Sequence, residues 1–124
     1  MSHNKPALLL LVPDVRLRDI YASRFERAGW EVEVAANLTD AERRAVQLRP
    51  DVLLVYHAML EDIKVAFKHL RSLPTLLDTQ IVIADMHLSN TTIEDLLKAG
   101  ASEVVLTAHL TPQALVNRMN QLIA

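Results

Sequence analysis

The chain has 124 residues, 51% of them apolar, with a net charge of −2 and no cysteine. This length and composition suit one globular domain, residues 1–124, and exclude a disordered segment. The net charge of −2 gives no overall basic field for nucleic acid, so we expect no direct nucleic-acid binding. The longest fully apolar run, Ala7 to Val12, is far below the ~20 residues of a membrane helix. The absence of cysteine excludes disulfides and favours a cytoplasmic protein, so we expect no membrane contact and a cytoplasmic location.

Five short segments have the length and composition of β-strands. They are Ala7–Val12, Glu31–Ala35, Val52–Val55, Ile81–Ala84 and Glu103–Leu106. The unbroken apolar run of the first segment predicts a central strand that is covered on both faces. The second segment alternates polar and apolar residues, which predicts a strand nearer the edge of the sheet.

Apolar residues recur at helical spacing in five further segments, and most of these segments begin with a capping signal. Asp14 is a predicted N-cap for the first helix. The segments Thr39–Glu42 and Thr91–Glu94 match the capping-box pattern, in which a threonine is followed three residues later by a glutamate. Thr111 before Pro112 predicts the start of the last helix.

Glycine marks where two of these helices end. Gly29 and Gly100 are the only two glycines of the chain, and each follows a helical segment that must turn back into a strand. The resulting order of elements is βαβαβαβαβα. Such alternation predicts an α/β fold with a parallel sheet and helices on both faces.

Four sequence stretches give the chain a resemblance to the receiver (CheY-like) domains of two-component response regulators. They are AGWEV at 28–32, RPDVLLV at 49–55, LLKAGASEVVL at 96–106 and LTPQAL at 110–115. The similarity extends over nearly the full length. It implies a flavodoxin-like three-layer α/β/α sandwich, with five parallel strands in the order 2-1-3-4-5 and five helices.

The resemblance also implies where phosphoryl transfer takes place, and here the sequence departs from the family. Two acidic residues that bind magnesium end the first strand of the family, but this chain has Val12 and Pro13, followed by Asp14. An aspartate that accepts the phosphoryl group ends the third strand. Its position is taken by Tyr56.

The remaining positions of the family's pocket differ as well. The Ser or Thr that follows the phosphate is Asp85 here, and the Lys-Pro pair after the fifth strand is Thr107 and Ala108. These departures predict a degenerate receiver domain with no catalytic residue, no metal site and no cofactor. Carboxylates at Asp14 and Asp85, without a lysine, would repel an incoming phosphate.

Tyr56 and His57 have two interpretations each. Tyr56 is a candidate phosphoacceptor, but nothing nearby activates a phenol with a pKa of about 10. We therefore favour a packing role, with the ring in the vacated pocket and the hydroxyl bonded to Asp85 or Asp14. We expect His57 to face the other side of the sheet or solvent, although with His87 and His109 it also forms a candidate zinc site at the same edge.

The face formed by the fourth helix, fifth strand and fifth helix carries dimer and partner contacts in the family. The candidate interface residues are Glu94, Leu97, Glu103, Leu115 and Arg118. Leu97 and Leu115 fall where the family often has a small apolar patch. Both leucines equally suit the inner edges of amphipathic helices, so interface and core interpretations stay open.

The leading hypothesis from the sequence is a stand-alone pseudo-receiver domain. It binds an unidentified protein partner, or a second copy through the face just described, without being phosphorylated, and it is not an enzyme. One alternative is a residual phosphoacceptor or phosphorelay domain that uses the carboxyl edge of the sheet. Another is a sensor for a small ligand in a pocket that Val12, Pro13 and Ala108 make more apolar.

Overall fold

The computed structural model describes residues 5–124, which form five strands and five helices with short 3₁₀ turns. The strands are β1 (Ala7–Leu11), β2 (Glu31–Val34), β3 (Val52–Tyr56), β4 (Gln80–Asp85) and β5 (Glu103–Leu106). The helices are α1 (Val15–Arg27), α2 (Leu38–Leu48), α3 (Ile63–Ser72), α4 (Asn90–Ala99) and α5 (Pro112–Ile123). None of the helices in this part of the chain has the length and hydropathy needed to cross a bilayer.

All five strands are parallel and lie in the order β2-β1-β3-β4-β5. This order confirms the flavodoxin-like topology. β1 and β3 are central, and every residue of both strands is buried. β2 lies at one edge of the sheet, as its alternating sequence predicted.

Two apolar layers cover the sheet, one on each face. Leu9 and Leu11 of β1 face α2, α3 and α4, and they pack with residues such as Phe67. Leu8 and Leu10 face α1 and α5, and they pack in the other layer. Because successive side chains of a strand point to opposite faces, one apolar strand supplies both layers. The result is the predicted three-layer α/β/α sandwich.

The helix starts confirm two predicted caps and correct two others. Asp14 accepts a hydrogen bond from the Leu17 backbone N–H, and Thr111 accepts one from Ala114. The predicted capping boxes at Thr39 and Thr91 are wrong, because each helix begins two residues earlier. The N-caps are Asn37 and Ser89, which accept hydrogen bonds from Asp40 and Thr92. Asparagine and serine are at least as good as threonine at this position.

The turn from α1 into β2 joins the bottom of the sheet to α5. Gly29 has φ 93°, which only glycine adopts at little cost. The next residue, Trp30, is buried and packs edge-on against Phe25 with ring centroids 5.2 Å apart. Its indole Nε1–H donates to Asn120 Oδ1 at 2.9 Å. Trp30 therefore packs in the core and ties this turn to α5.

The carboxylate of Asp40 accepts several hydrogen bonds at the start of α2. The Ala36 backbone N–H donates to its carboxylate, and Arg44 and Arg43 also bond to it. These three contacts, the backbone N–H foremost, hold the pKa of Asp40 well below its usual range. The carboxylate therefore stays ionised in the folded protein at pH values where it is protonated in the unfolded chain.

We expect Asp40 to contribute stability that is present above about pH 4 and lost as the pH falls below that value. Replacing Asp40→Asn should lower the melting temperature at neutral pH and flatten its dependence on pH in the acid range. Circular dichroism melts over that range measure both effects. Asp95→Asn, at an exposed helical aspartate without an ion pair in residues 5–124, is the control. Equal pH dependence in both variants would contradict this role of Asp40.

Candidate functional site

The carboxyl edge of the sheet brings together the residues that the sequence marks as a pocket. They are Val12, Pro13 and Asp14 after β1, Tyr56 at the end of β3, Asp85 at the end of β4, and Thr107 and Ala108 after β5. Parallel strands end at the same edge, which is where open α/β sheets bind ligands. Val12 and Tyr56 are buried, whereas Pro13, Asp14 and Ala108 are exposed.

Tyr56 is bound in a small cluster of hydroxyl groups. Its side chain is only 5% exposed. Its hydroxyl oxygen lies 3.1 Å from Thr107 Oγ1 and 3.3 Å from the hydroxyl oxygen of Tyr21. Since Tyr21 belongs to α1 and Thr107 to the turn after β5, this cluster connects three elements across the edge of the sheet.

The expectation that Tyr56 bonds Asp14 or Asp85 is wrong, because each carboxylate is bound by a nearby backbone N–H. Asp14 Oδ1 accepts from Leu17 at 2.9 Å, and Asp85 Oδ1 accepts from Met86 at 2.8 Å. Such local bonds to aspartate form readily at strand ends and helix starts. The pocket around Tyr56 is therefore lined by hydroxyls and apolar groups. The carboxylates of Asp14 and Asp85 instead bond nearby backbone N–H groups.

The two phenols of this cluster are poor nucleophiles. Burial raises the pKa of Tyr21 above its ordinary value, and the hydrogen bond with Tyr56 raises it further. A phenol becomes an effective nucleophile only when a base or a lowered pKa activates it. The groups bonded to Tyr56 are the hydroxyls of Tyr21 and Thr107, and neither is a base.

The residues at this edge do not fit the magnesium ion that the fold family implies. Magnesium prefers octahedral oxygen ligands, with one or two carboxylates aimed at the same point. Here the carboxylates of Asp14 and Asp85 cap separate backbone groups. Across residues 5–124, no three histidine, aspartate or glutamate side chains come together as metal ligands. The alternative zinc site of His57, His87 and His109 is therefore wrong.

His57 begins the 3₁₀ turn His57–Met59 after β3 and is half-buried. It lines a groove between α3 and α4, with Leu60 and Phe67. Its ring is thus directed away from the hydroxyl cluster of Tyr56, which packs in the layer of α1 and α5. This agrees with the expectation that His57 faces the other side of the sheet.

The face of α4, β5 and α5 holds the candidate interface residues. Leu97 is 48% exposed, and Glu94 is exposed on the same helix. Glu103 Oε1 accepts from Arg118 Nε at 3.0 Å, which ties β5 to α5. Glu103 Oε2 is buried and has no hydrogen-bond partner within the described part of the chain. This carboxylate is therefore only half satisfied by Arg118.

Leu115 does not belong to a surface patch with Leu97. It is 1% exposed and packs in the layer between the sheet and α1. Its placement as an interface residue is wrong because its position on α5 points inward, together with Val116 and Met119. Of the two leucines, only Leu97 offers apolar surface.

Tyr21 is the residue of this site that sequence reasoning missed. Its ring is buried on the inner side of α1. The missed feature was the hydroxyl, which reaches over the sheet to Tyr56. The available signal was that buried tyrosines usually find a polar partner, and Tyr56 is the only other tyrosine of the chain.

No protein-family model matches this sequence, and no curated protein is significantly similar to it. Solved structures of response regulators do match. The chemotaxis response regulator CheY4 of Vibrio cholerae superposes with a TM-score of 0.83 at 20% identity, covering 96% of this chain and 99% of that one. A receiver domain protein (CheY-like) from Methanospirillum hungatei gives 0.82 at 16% identity, covering 97% and 94%. An orphan response regulator of H. pylori gives 0.84 at 13% identity, covering 99% and 100%.

The chain has the fold of the CheY-like receiver domains. The coverage of both chains shows that the fold matches from end to end, with no large insertion on either side. At identities of 13 to 20% the comparison concerns the fold. What the residues of this chain do at the carboxyl edge depends on their own geometry.

The raised pKa of Tyr21 gives a prediction for alkaline pH. In Tyr56→Phe, Tyr21 is the only tyrosine, and burial, the main cause of its raised pKa, remains. Phenolate absorbance should stay low through about pH 10 in the folded variant and appear near pH 10 in denaturant. Because the unfolded chain ionises first, the free energy of unfolding should fall as the pH rises above about 10. A folded variant that is half ionised at pH 10 would contradict the buried position of Tyr21.

Proposed function

We propose that this chain is an atypical receiver-like domain that binds a partner protein without being phosphorylated, in signal transduction or regulation. The observation that carries this proposal is the Tyr56 cluster. The residue at the phosphoacceptor position is a buried phenol, and its hydroxyl is bonded to Tyr21 and Thr107. The receiver fold of the similar structures supports the signalling role.

Each group that phosphoryl transfer needs is replaced by one that cannot serve. Val12 and Pro13 have no side-chain oxygen to bind a metal at the end of β1, and Thr107 offers no positive charge to a phosphate. A phosphoryl group here would approach the carboxylates of Asp14 and Asp85 without a compensating cation. The domain is therefore not an enzyme in this proposal, and it uses no cofactor.

The hydrogen bonds of the same cluster favour a single conformation of the domain. Switching requires two arrangements of similar free energy, with a ligand that favours one of them. In this chain the position of the Thr107 hydroxyl is fixed by Tyr56, and Tyr56 is fixed by its packing between β1, β4 and α1. With no phosphate to displace it, Thr107 stays in place. The binding surface is then presented constitutively.

The proposed binding surface is the face of α4, β5 and α5. It offers the exposed Leu97 and Glu94 beside the bonded pair of Glu103 and Arg118. With Leu115 buried, these residues supply little apolar area, and stable homodimers need a large apolar interface. We therefore propose a separate protein partner on this face and not a tight dimer, in the cytoplasm where receiver domains meet their partners.

We expect no response of the pocket to a phosphoryl analogue. Amide NMR spectra of the labelled protein should remain unchanged around Asp14, Tyr56, Asp85 and Thr107 when magnesium and beryllofluoride are added. The reason is that neither a metal-binding carboxylate pair nor a lysine is available. Magnesium alone and fluoride alone are the controls for salt effects.

Saturable shifts at these four residues would overturn the proposal and favour a working phosphoacceptor site. Shifts with small metabolites in the absence of magnesium would favour the ligand-sensor alternative instead. Both outcomes can be separated from non-specific effects by Tyr56→Phe, which removes the hydroxyl but keeps the ring. A specific site that depends on the hydroxyl should respond differently in that variant.

Leu97 and Leu115 give a direct test of which leucine faces solvent. Leu115→Ala should lower the free energy of unfolding by about 2–5 kcal/mol, because it leaves a cavity beside the sheet. Leu97→Ala should change it by no more than about 0.5 kcal/mol, because its side chain is already half in water. Urea denaturation measures both values. Similar losses in the two variants would contradict the placement of Leu97 on the binding face.

A further inference from the structure

One side of α1 carries a row of arginines that the pocket does not use. Arg16, Ile20, Arg24 and Arg27 follow one another at helical spacing, and they line a shallow depression of about 390 Å³ together with Asp19 and Ser23. We name Arg16, Ile20, Arg24 and Arg27 the arginine stripe. Three cations therefore face one carboxylate on this surface.

The arginine stripe is unpaired within the described chain. The only ion pair formed by an α1 residue in residues 5–124 joins Arg18 to Asp19, and Arg18 lies outside the stripe. Ile20, in the middle of the stripe, is 43% exposed. A row of free guanidinium groups around an exposed isoleucine has the composition of a contact surface for an acidic partner.

A groove between α2 and α3 has the opposite character. Its volume is about 500 Å³, and its apolar lining includes Leu38, Met59, Val65, Ala66 and Leu70. Three carboxylates border it, those of Glu42, Glu61 and Asp62. We name these eight residues the acidic groove. Val65 is 64% exposed, so the apolar lining reaches the surface.

We propose that the arginine stripe of one copy of this chain docks into the acidic groove of a second copy. Both surfaces lie on the same molecule, and each supplies what the other lacks. The guanidinium groups meet the carboxylates, and Ile20 meets the apolar lining around Val65. Among described residues, Glu42 pairs with His69, and Asp62 caps α3 by accepting from the Val65 backbone N–H. Glu61 is therefore the groove carboxylate that is free for an arginine.

The dimensions of the two surfaces agree with this docking. α1 has 13 residues and is therefore about 20 Å long, and α2 and α3 are about 16 Å long. A helix of this length fits along a groove between two others, as in other helix-in-groove contacts. The charged rims favour encounter and fix the orientation, while the small apolar centre keeps the association weak.

The topology makes this association head-to-tail. α1 lies on one face of the sheet, and α2 and α3 lie on the other. Two copies that touch through different surfaces leave one free surface at each end, so that further copies can add. This distinguishes the proposed contact from a closed dimer through the α4, β5 and α5 face. It is also independent of the proposed partner-binding function.

Sedimentation of concentrated wild-type protein provides the first measurement. We expect a mass that rises with concentration beyond that of two chains. The association constant should fall about tenfold between ~0.1 M and ~1 M NaCl, because the Debye length shrinks from ~10 Å to ~3 Å. A protein that stays monomeric at millimolar concentration and low salt would overturn the proposal.

Two variants, each with one surface removed, test which surfaces meet. Ile20→Gln with Arg24→Gln removes the arginine stripe, and Glu61→Gln with Val65→Gln removes the acidic groove, with no charge reversed that could create a new complementary pair. Each variant alone should be monomeric. An equimolar mixture should form a 1:1 complex of two chains and grow no further, because only one intact stripe and one intact groove remain. Formation of that complex also shows that both variants are folded.

Matched controls change charge beside, but outside, the two surfaces. Lys68→Glu on α3 and Asp95→Lys on α4 line a different groove, and both should associate like the wild type. Leu97→Ala should also leave this association intact. Association that survives in both surface variants, or that is lost in Leu97→Ala, would place the contact elsewhere and overturn the proposal. A failed response to beryllofluoride or a missing partner would leave it unaffected.

Discussion

The apolar parallel sheet is the constraint on which the rest of this molecule depends. β1 and β3 have no polar side chain exposed on either face, so helices must cover both sides. Right-handed crossovers then place α1 and α5 on one side and α2, α3 and α4 on the other. The ends of β1, β3, β4 and β5 meet at one edge as a consequence. Any chemistry at Tyr56 is therefore determined by what these strands and α1 deliver there.

At that edge, neutral hydroxyls stand where the resemblance to receiver domains implies charged groups. A cluster of carboxylates is stable at a strand edge only when a cation neutralises it, because like charges at short range raise one another's energy. Tyr56 and Thr107 remove that requirement, and Tyr21 closes the cluster from α1. The result is a packed cluster of neutral groups at this edge. This is why we look for function on the surfaces and not in the pocket.

The sequence predicted the fold well because its signals are spread over long segments. Buried strands, helical spacing and two glycines agree with one another, and agreement between levels is what specifies a fold. The errors concern single residues whose environment depends on distant parts of the chain. Asn37, and not Thr39, caps the start of α2. The burial of Leu115 depends on which side of α5 packs on the sheet. The bond between Tyr21 and Tyr56, 35 residues apart, had no local signal.

Folding constrains the residues on the surface less than it constrains those in the core. Burial fixes the inner side of each helix, so its outer side is free to carry charge patterns unrelated to folding. On α1 the inner side holds Tyr21 and Phe25, while the outer side holds the arginine stripe. Unpaired arginines on a chain with a net charge of −2 mean that the negative charge is concentrated elsewhere, and part of it borders the acidic groove. The positive surface of α1 and the acidic groove lie on opposite faces of the sheet. Attraction between the positive face of one copy and the negative face of the next therefore favours head-to-tail association.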